Sequence, residues 1–165
     1  MKGALLLEHT QDIFLEHFQD PRFQKAFQQY FSFLGVKVRD WEGLFREMDQ
    51  DGRGNRAYLR LNAAGETVGF IQFCPMELSG WFFQKRLGFI REFWVAPACQ
   101  GQGHGSALLA LAEGWFREQG FSGSILTTDT APGFYEKHGY RLDPGFTAKN
   151  GDPAYVKDLG NALTP

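Results

Sequence analysis

Between residues 10 and 50, apolar positions recur at helical spacing. Phe14, Leu15 and Phe18 would share one face of a helix. Phe23, Phe27, Tyr30, Phe31 and Leu34 follow the i, i+4, i+7, i+8, i+11 pattern of an amphipathic helix. Trp41, Leu44, Phe45 and Met48 form another stripe behind Asp40, a good N-cap type. A short strand over Ala4 to Leu7 would precede these helices. The period then drops to two. Arg56 to Leu61 and Thr67 to Phe73 alternate as strands, with Asn62-Ala63-Ala64-Gly65-Glu66 as the hairpin turn. From Met76 to Gly88 the pattern weakens. Ser79-Gly80 and Gly88 suggest turns, with Trp81-Phe82-Phe83 partly exposed or packed over a site.

Further on, Phe89 to Val95 reads as a central strand and His104 to Gln119 as a helix stopped by Gly120. Ser124 to Thr128 reads as a short buried strand. Another short helix follows, with Asp129 and Thr130 as N-cap types, Pro132 in its first turn and Gly139 as terminator. Tyr140 to Leu142 and Ala154 to Asp158 are the last strands. The order is helices, then antiparallel strands, then β–α–β–α–β.

Composition sets bounds on this picture. A chain of 165 residues can bury a core as one domain, spanning 1–165. The 17 phenylalanines make that core or a pocket aromatic. A net charge of −2 argues against a nucleic-acid partner held by a basic face. No apolar run reaches the roughly 18 residues of a membrane span, and the apolar start at Ala4 to Leu7 is broken by Glu8-His9, too early for a signal sequence. Cys74 and Cys99 fit neither a disulfide framework nor a zinc pattern, so a reduced, cytoplasmic setting is the expectation. Asp49-Gln50-Asp51-Gly52 opens like a calcium loop, but Arg53, Arg56 and Arg60 stand where that loop needs other residue types, Arg60 where it needs a carboxylate. No metal is expected.

The candidate chemistry lies in Val95-Ala96-Pro97-Ala98-Cys99-Gln100-Gly101-Gln102-Gly103-His104-Gly105-Ser106. A strand leads into this glycine-rich loop and a helix leads out. The free N–H groups and dipole of the helix's first turn suit a phosphate. No Lys follows the glycines, so the loop is not a P-loop. The Gly101-x-Gly103-x-Gly105 spacing and a position past mid-chain fit a dinucleotide fingerprint poorly.

The loop resembles the acetyl-coenzyme A pyrophosphate loop of the GNAT acetyltransferases, Arg/Gln-x-x-Gly-x-Gly/Ala, matched by Gln100, Gly103 and Gly105 with a Val-x-Pro lead-in. A later stretch resembles that family's second signature, with Ala131, Phe134, Tyr135, Gly139 and Tyr140 matching. The resemblance implies a single-domain α/β (α+β) GNAT fold. Its mixed, mostly antiparallel twisted sheet would be splayed at the central strand and flanked by helices. It covers residue 56 to the end in detail and the first 50 residues only in layout.

The resemblance also implies an N-acetyltransferase moving an acetyl group from acetyl-coenzyme A to a primary amine of a small molecule or peptide, by direct attack in a ternary complex. Backbone groups of Phe93, Trp94 and Val95 would bond the pantetheine arm. Main-chain N–H groups of Gln100, Gly101, Gln102, Gly103, His104, Gly105 and Ser106 would hold the pyrophosphate. Thr128 stands where the family often has Asn, which puts coenzyme contact there in doubt, and Ala131 and Tyr135 would complete the site. Tyr135 would return a proton to the departing thiolate; the competing reading is a core tyrosine bonded to backbone. Glu92 would be the general base, acting through water or raised by burial. Alternatively it pairs with Arg91 or Arg86, or only attracts a cationic acceptor. His104 and His138 read as surface or packing residues. Glu77, Asp143 and Asp152 are candidate recruiters of the acceptor. A non-catalytic acyl-coenzyme A binding module on the same scaffold is the second reading. Trp81 to Phe83 would suit a homodimer contact.

Overall fold

The computed structural model describes residues 9–160. Seven strands form one mixed sheet, crossed by four helices. In chain order these are β1 (Gln11–Leu15), α1 (Pro21–Leu34), α2 (Trp41–Gln50), β2 (Arg56–Leu61), β3 (Thr67–Gly80), β4 (Phe83–Val95), α3 (His104–Glu118), β5 (Gly123–Thr127), α4 (Pro132–Lys137), β6 (Arg141–Leu142) and β7 (Ala154–Asp158). A single 3-10 turn, Pro97–Cys99, lies between β4 and α3. The spatial order is β1-β2-β3-β4-β5-β7-β6. Only β4 and β5 run parallel; every other neighbouring pair is antiparallel.

Local chemistry starts and stops the helices as the sequence suggests. Asp20 caps α1, accepting from the Arg22 N–H at 2.8 Å ahead of Pro21. Asp40 caps α2, accepting from the Gly43 N–H at 3.0 Å. Gly35 ends α1 by donating to the carbonyls of Phe31 and Ser32. The cap of α4 departs from expectation. Neither Asp129 nor Thr130 caps it; Ala131 stands at the N-cap, and its N–H donates to Thr128 Oγ1 at 3.1 Å.

The first strand is a second departure. Residues 11–15 form β1, not a helix, and pair antiparallel with β2. Ile13 and Leu15 pack toward the α1–α2 side, while Phe14 turns to Tyr58 and Trp115 on the other face, with ring centroids 5.2 and 6.4 Å away. That is a strand's alternation. Phe18 is fully buried in the loop beyond, and its N–H donates to Asp49 Oδ1. The strand anticipated over Ala4 to Leu7 lies outside the described residues.

The β3–β4 hairpin is longer than the sequence suggests. Neither Ser79-Gly80 nor Gly88 interrupts it before the tip at Trp81-Phe82, where Trp81 is 99% exposed. Gly88 stays in strand because a neighbour occupies the space of a side chain. A Cβ there would clash with the Phe116 ring, so the glycine lets α3 lie flat on the sheet.

Two aromatic cores fill the two faces. Beneath α1 and α2, Phe18, Phe23, Phe27, Phe45 and Phe70 cluster with Leu59 and Leu61. Phe23 meets Phe70 edge-on at 5.2 Å, a geometry worth about 0.5–1.5 kcal/mol beyond simple burial. Beneath α3, Ile71, Phe73, Ile90, Leu108, Leu109 and Phe116 pack with Tyr140 and Tyr155.

Two irregularities of β4 shape the site. Gln72 is opposite Glu92, but Phe73 is opposite Ile90, so Arg91 is an extra residue, a β-bulge. The parallel pairing with β5 covers only Leu87↔Gly123, Gly88↔Ser124 and Phe89↔Ile125. Past Phe89 the two strands part, which is the splay expected of the central strand.

Candidate active site

Two adjoining cavities open where β4 and β5 part. One, of about 480 Å³, is lined by Phe93 to Val95, the loop residues Cys99, Gln100, Gly101, Gly103, His104, Gly105 and Ser106, and Ala131, Phe134 and Tyr135. The other, of about 740 Å³, lies toward α1. Glu92, Tyr30, Arg91, Arg53, Thr128 and Asp152 are on its walls. Phe93, Trp94, Val95, Gln100, Ala131 and Tyr135 line both, so the cavities meet at the end of β4.

The loop leads straight into the first turn of α3. Gly103, at φ 88°, caps α3 without any side-chain hydrogen bond, so no cap side chain occupies the helix's first N–H groups. Gln100 folds back, and its Nε2 donates to the Val95 carbonyl at 3.2 Å, pinning the loop to the strand end. Ser106 Oγ lies 3.0 Å from His138 Nε2, tying α3 to α4. Among the residues anticipated for the loop, Gln102 lines neither cavity.

His104 is not a surface residue. It is 6% exposed, and its Nδ1 lies 3.3 Å from Arg60 Nη1. A guanidinium only donates, so Nδ1 accepts and the ring proton sits on Nε2. Burial first, then the Arg60 cation, pushes the imidazole pKa down, against an opposing pull from Asp12. Arg60 is itself paired to Asp12 at 3.0 Å.

Tyr135 projects from α4 onto Phe93 and Tyr140, with ring centroids 6.5 and 5.7 Å apart. Burial pushes its phenol pKa up to about 12, so it is protonated at neutral pH. Its backbone closes α4, where the Tyr140 N–H donates to the Tyr135 carbonyl at 3.0 Å. Glu92 accepts a 2.6 Å hydrogen bond from Tyr30 Oη. Burial raises the Glu92 carboxyl pKa, opposed by the Tyr30 bond and by the Arg91 cation. The Glu92 partner is therefore Tyr30. Arg86 pairs with Glu77 at 2.9 Å, and Arg91 reaches Asn55 at 2.8 Å and Asp51 at 3.4 Å.

Of the anticipated acidic recruiters, Asp152 lines the larger cavity. Glu77 is engaged by Arg86, and Asp143 holds the turn at Gly145. Tyr30 lines this cavity, as the resemblance implies for aromatic side chains of the first helices, whereas no local motif marks Arg91 or Arg53 for it. The Tyr30–Glu92 bond depends on helix placement, and the bulge at Arg91 depends on register. Both cysteines are free; Cys74 is buried, which raises its thiol pKa, and Cys99 borders the smaller cavity. Among the described residues no group of three or more His, Cys, Asp or Glu side chains could hold a metal ion, and no helix is long and apolar enough to cross a membrane.

Known proteins share this architecture. A GNAT-family acetyltransferase from Staphylococcus aureus Mu50 superposes with a TM-score of 0.68 at 18% identity, covering 91% of this chain and 100% of its own. The Escherichia coli GNAT-family N-acetyltransferase YhbS, solved in complex with CoA, gives a TM-score of 0.72 at 16% identity, over 94% of this chain and 85% of its own. An aminoglycoside acetyltransferase from an uncultured soil metagenomic sample, in complex with trehalose, gives 0.62 at 18%, over 79% of this chain and 85% of its own. At these identities the likeness is one of fold. No curated protein matches significantly. The sequence model of the acetyltransferase (GNAT) family, however, matches residues 7–140. That span holds both glycine-loop and Tyr135 signatures, and with the splayed sheet it makes this chain a member of the GNAT acetyltransferase family.

Proposed function

We propose that this protein transfers an acetyl group from acetyl-coenzyme A to a primary amine, both substrates being bound at once. The observation that carries this reading is the junction of the two cavities at Phe93 to Val95 and Tyr135. One cavity suits the donor, since it ends on the glycine loop. The other suits an amine, since Glu92 is on its wall.

The unpaired edge of β4 past Phe89 offers backbone groups to the pantetheine arm. The loop amides and the first turn of α3 hold the pyrophosphate, and a β4 N–H polarises the thioester carbonyl. Holding the amine in line with that carbonyl removes several kcal/mol of barrier. Glu92, through water, takes a proton from the ammonium. A carboxyl at the ordinary value of about 4.3 is a weak base for an amine near 10, and burial strengthens it. The nitrogen forms a bond to the carbonyl carbon, the C–S bond breaks, and the Tyr135 hydroxyl gives its proton to the leaving thiolate; the second proton shed by the acylated nitrogen passes through water to restore the Tyr135 phenol, and Glu92 releases its own to solvent. Thr128 contributes to the coenzyme side only through the Ala131 turn it braces.

The test is thiol release from acetyl-coenzyme A with and without a panel of primary amines. Amine-dependent release, with the N-acetyl product seen by mass spectrometry, is the expected result. Tight coenzyme binding with no release across the panel would instead favour an acyl-coenzyme A binding module.

A further inference from the structure

The bulge at Arg91 sets a cation beside the proposed base. Ile90 and Phe93 both pack on the α3 side of the sheet, which the extra residue between them makes possible. Arg91 and Glu92 consequently share the opposite face: Arg91 bonds Asn55 and Asp51 beyond the end of α2, and Glu92 bonds Tyr30 of α1. Both line the larger cavity, and Arg91 is close enough to pull the Glu92 pKa down. Arg53 lines the same cavity with its side chain 70% exposed. Arg53 and Arg91 share Asp51, at 3.7 and 3.4 Å. One carboxylate between two guanidiniums leaves that trio with a net positive charge, set beside the Glu92 carboxyl on the same wall.

The other charges divide cleanly. Asp129 and Asp152 stand on the β5–α4 and β7 side of the cavity. Phe33 and Leu34, both exposed, form an apolar rim at the end of α1. The cavity is therefore dipolar, with cations beside Glu92 and acids across from them.

We propose that the acceptor is a zwitterionic amine of the amino-acid type, bound with its ammonium toward Glu92 and its carboxylate on the Arg91 and Arg53 guanidiniums. The reversed pose would set carboxylate against Glu92 and ammonium against the guanidiniums, and is disfavoured by both repulsions. The apolar rim receives an aliphatic or aromatic side chain. A guanidinium meets a carboxylate through paired, charge-assisted hydrogen bonds, which a neutral amide cannot reproduce. This assignment rests on the acetyltransferase reading above.

The experiment compares acetyl-coenzyme A turnover with the twenty common amino acids, their amides and the matching decarboxylated amines. The acids are expected to exceed their amides in kcat/KM by roughly tenfold or more, the scale of a charged hydrogen bond. The preference should be largest for apolar side chains. Arg53→Gln should bring the acid-to-amide ratio toward one, through KM, and Arg91→Lys should lower it partially. Because Arg53 is exposed, its variant tests the idea without loss of folding. Amides or decarboxylated amines turned over as well as the acids would overturn the carboxylate assignment and leave the acetyltransferase standing. Thiol release with none of these amines would overturn both.

Discussion

Tyr30 Oη donates a 2.6 Å hydrogen bond to Glu92 Oε2, joining the first helix to the central strand across 62 positions of sequence. The bond sets how basic Glu92 can be. Burial raises its pKa, and the phenol donor holds that rise in check. Tyr30→Phe removes the donor, so the carboxyl stays protonated to higher pH and the basic form becomes scarcer. The acid limb of the kcat/KM profile should move upward, with several-fold slower turnover at neutral pH. Glu92→Gln should abolish that limb and cost about 10²–10⁴-fold. An unmoved limb in Tyr30→Phe would remove Glu92 from the role of base.

The same shift bears on stability. The folded state holds the Glu92 proton more tightly than the unfolded chain, whose value is about 4.5. Glu92 therefore favours folding at low pH, and that part is lost as pH rises through its folded value. Glu92→Gln should flatten the fall in unfolding free energy between acidic and neutral pH, as read by urea titration.

Tyr135→Phe keeps the ring packing on Phe93 and removes only the hydroxyl. Turnover should fall by roughly 10²-fold, with coenzyme A affinity by calorimetry unchanged within about twofold. Unaltered turnover with an acetylated amine would end the assignment.

The Asp12–Arg60–His104 chain lies behind the glycine loop. With Nδ1 accepting from Arg60 and the ring pKa lowered, His104 stays neutral below its ordinary range. Coenzyme A affinity should therefore vary little with pH through the imidazole range of about 6–7. Arg60→Gln should make it pH-dependent there, and His104→Ala should weaken it several-fold.

Gly88→Ala presses a methyl group onto the Phe116 ring. Overpacking of this kind costs about 1–3 kcal/mol. Phe116→Leu in the same chain should recover part of the loss, a coupling that a double-mutant cycle in urea would detect.

What could be read in advance followed from local chemistry. The Asp40 cap, the α1 stripe and the strand–glycine loop–helix unit each depend on neighbours in sequence. What could not be read depended on distant partners. Phe14, Leu15 and Phe18 fit a helix on spacing alone; pairing with β2 makes residues 11–15 a strand. Gly88 looks like a turn until Phe116 is laid across it. The Thr128 hydroxyl, not Asp129 or Thr130, braces the start of α4 because the chain leaves β5 at that point. The site divides the same way. The loop residues and Tyr135 were legible as motifs, whereas the Tyr30–Glu92 bond and the aim of Arg91 depend on register and helix placement.

The seam between β4 and β5 is three residue pairs long, with four strands on one side and three on the other. The core beneath α3 spans the seam, joining Ile71, Phe73 and Ile90 on one side to Leu126 and Tyr155 on the other, so side chains hold together what the backbone pairs only briefly. On the proposed reading, a donor arm laid along the free edge of β4 would bridge the parted ends as a temporary eighth strand. Amide exchange at residues 90–95 and 126–128 should slow when coenzyme A is added, and the melting temperature should rise with coenzyme concentration as binding linkage requires. The gap between the two strands would then be closed by the very ligand it admits.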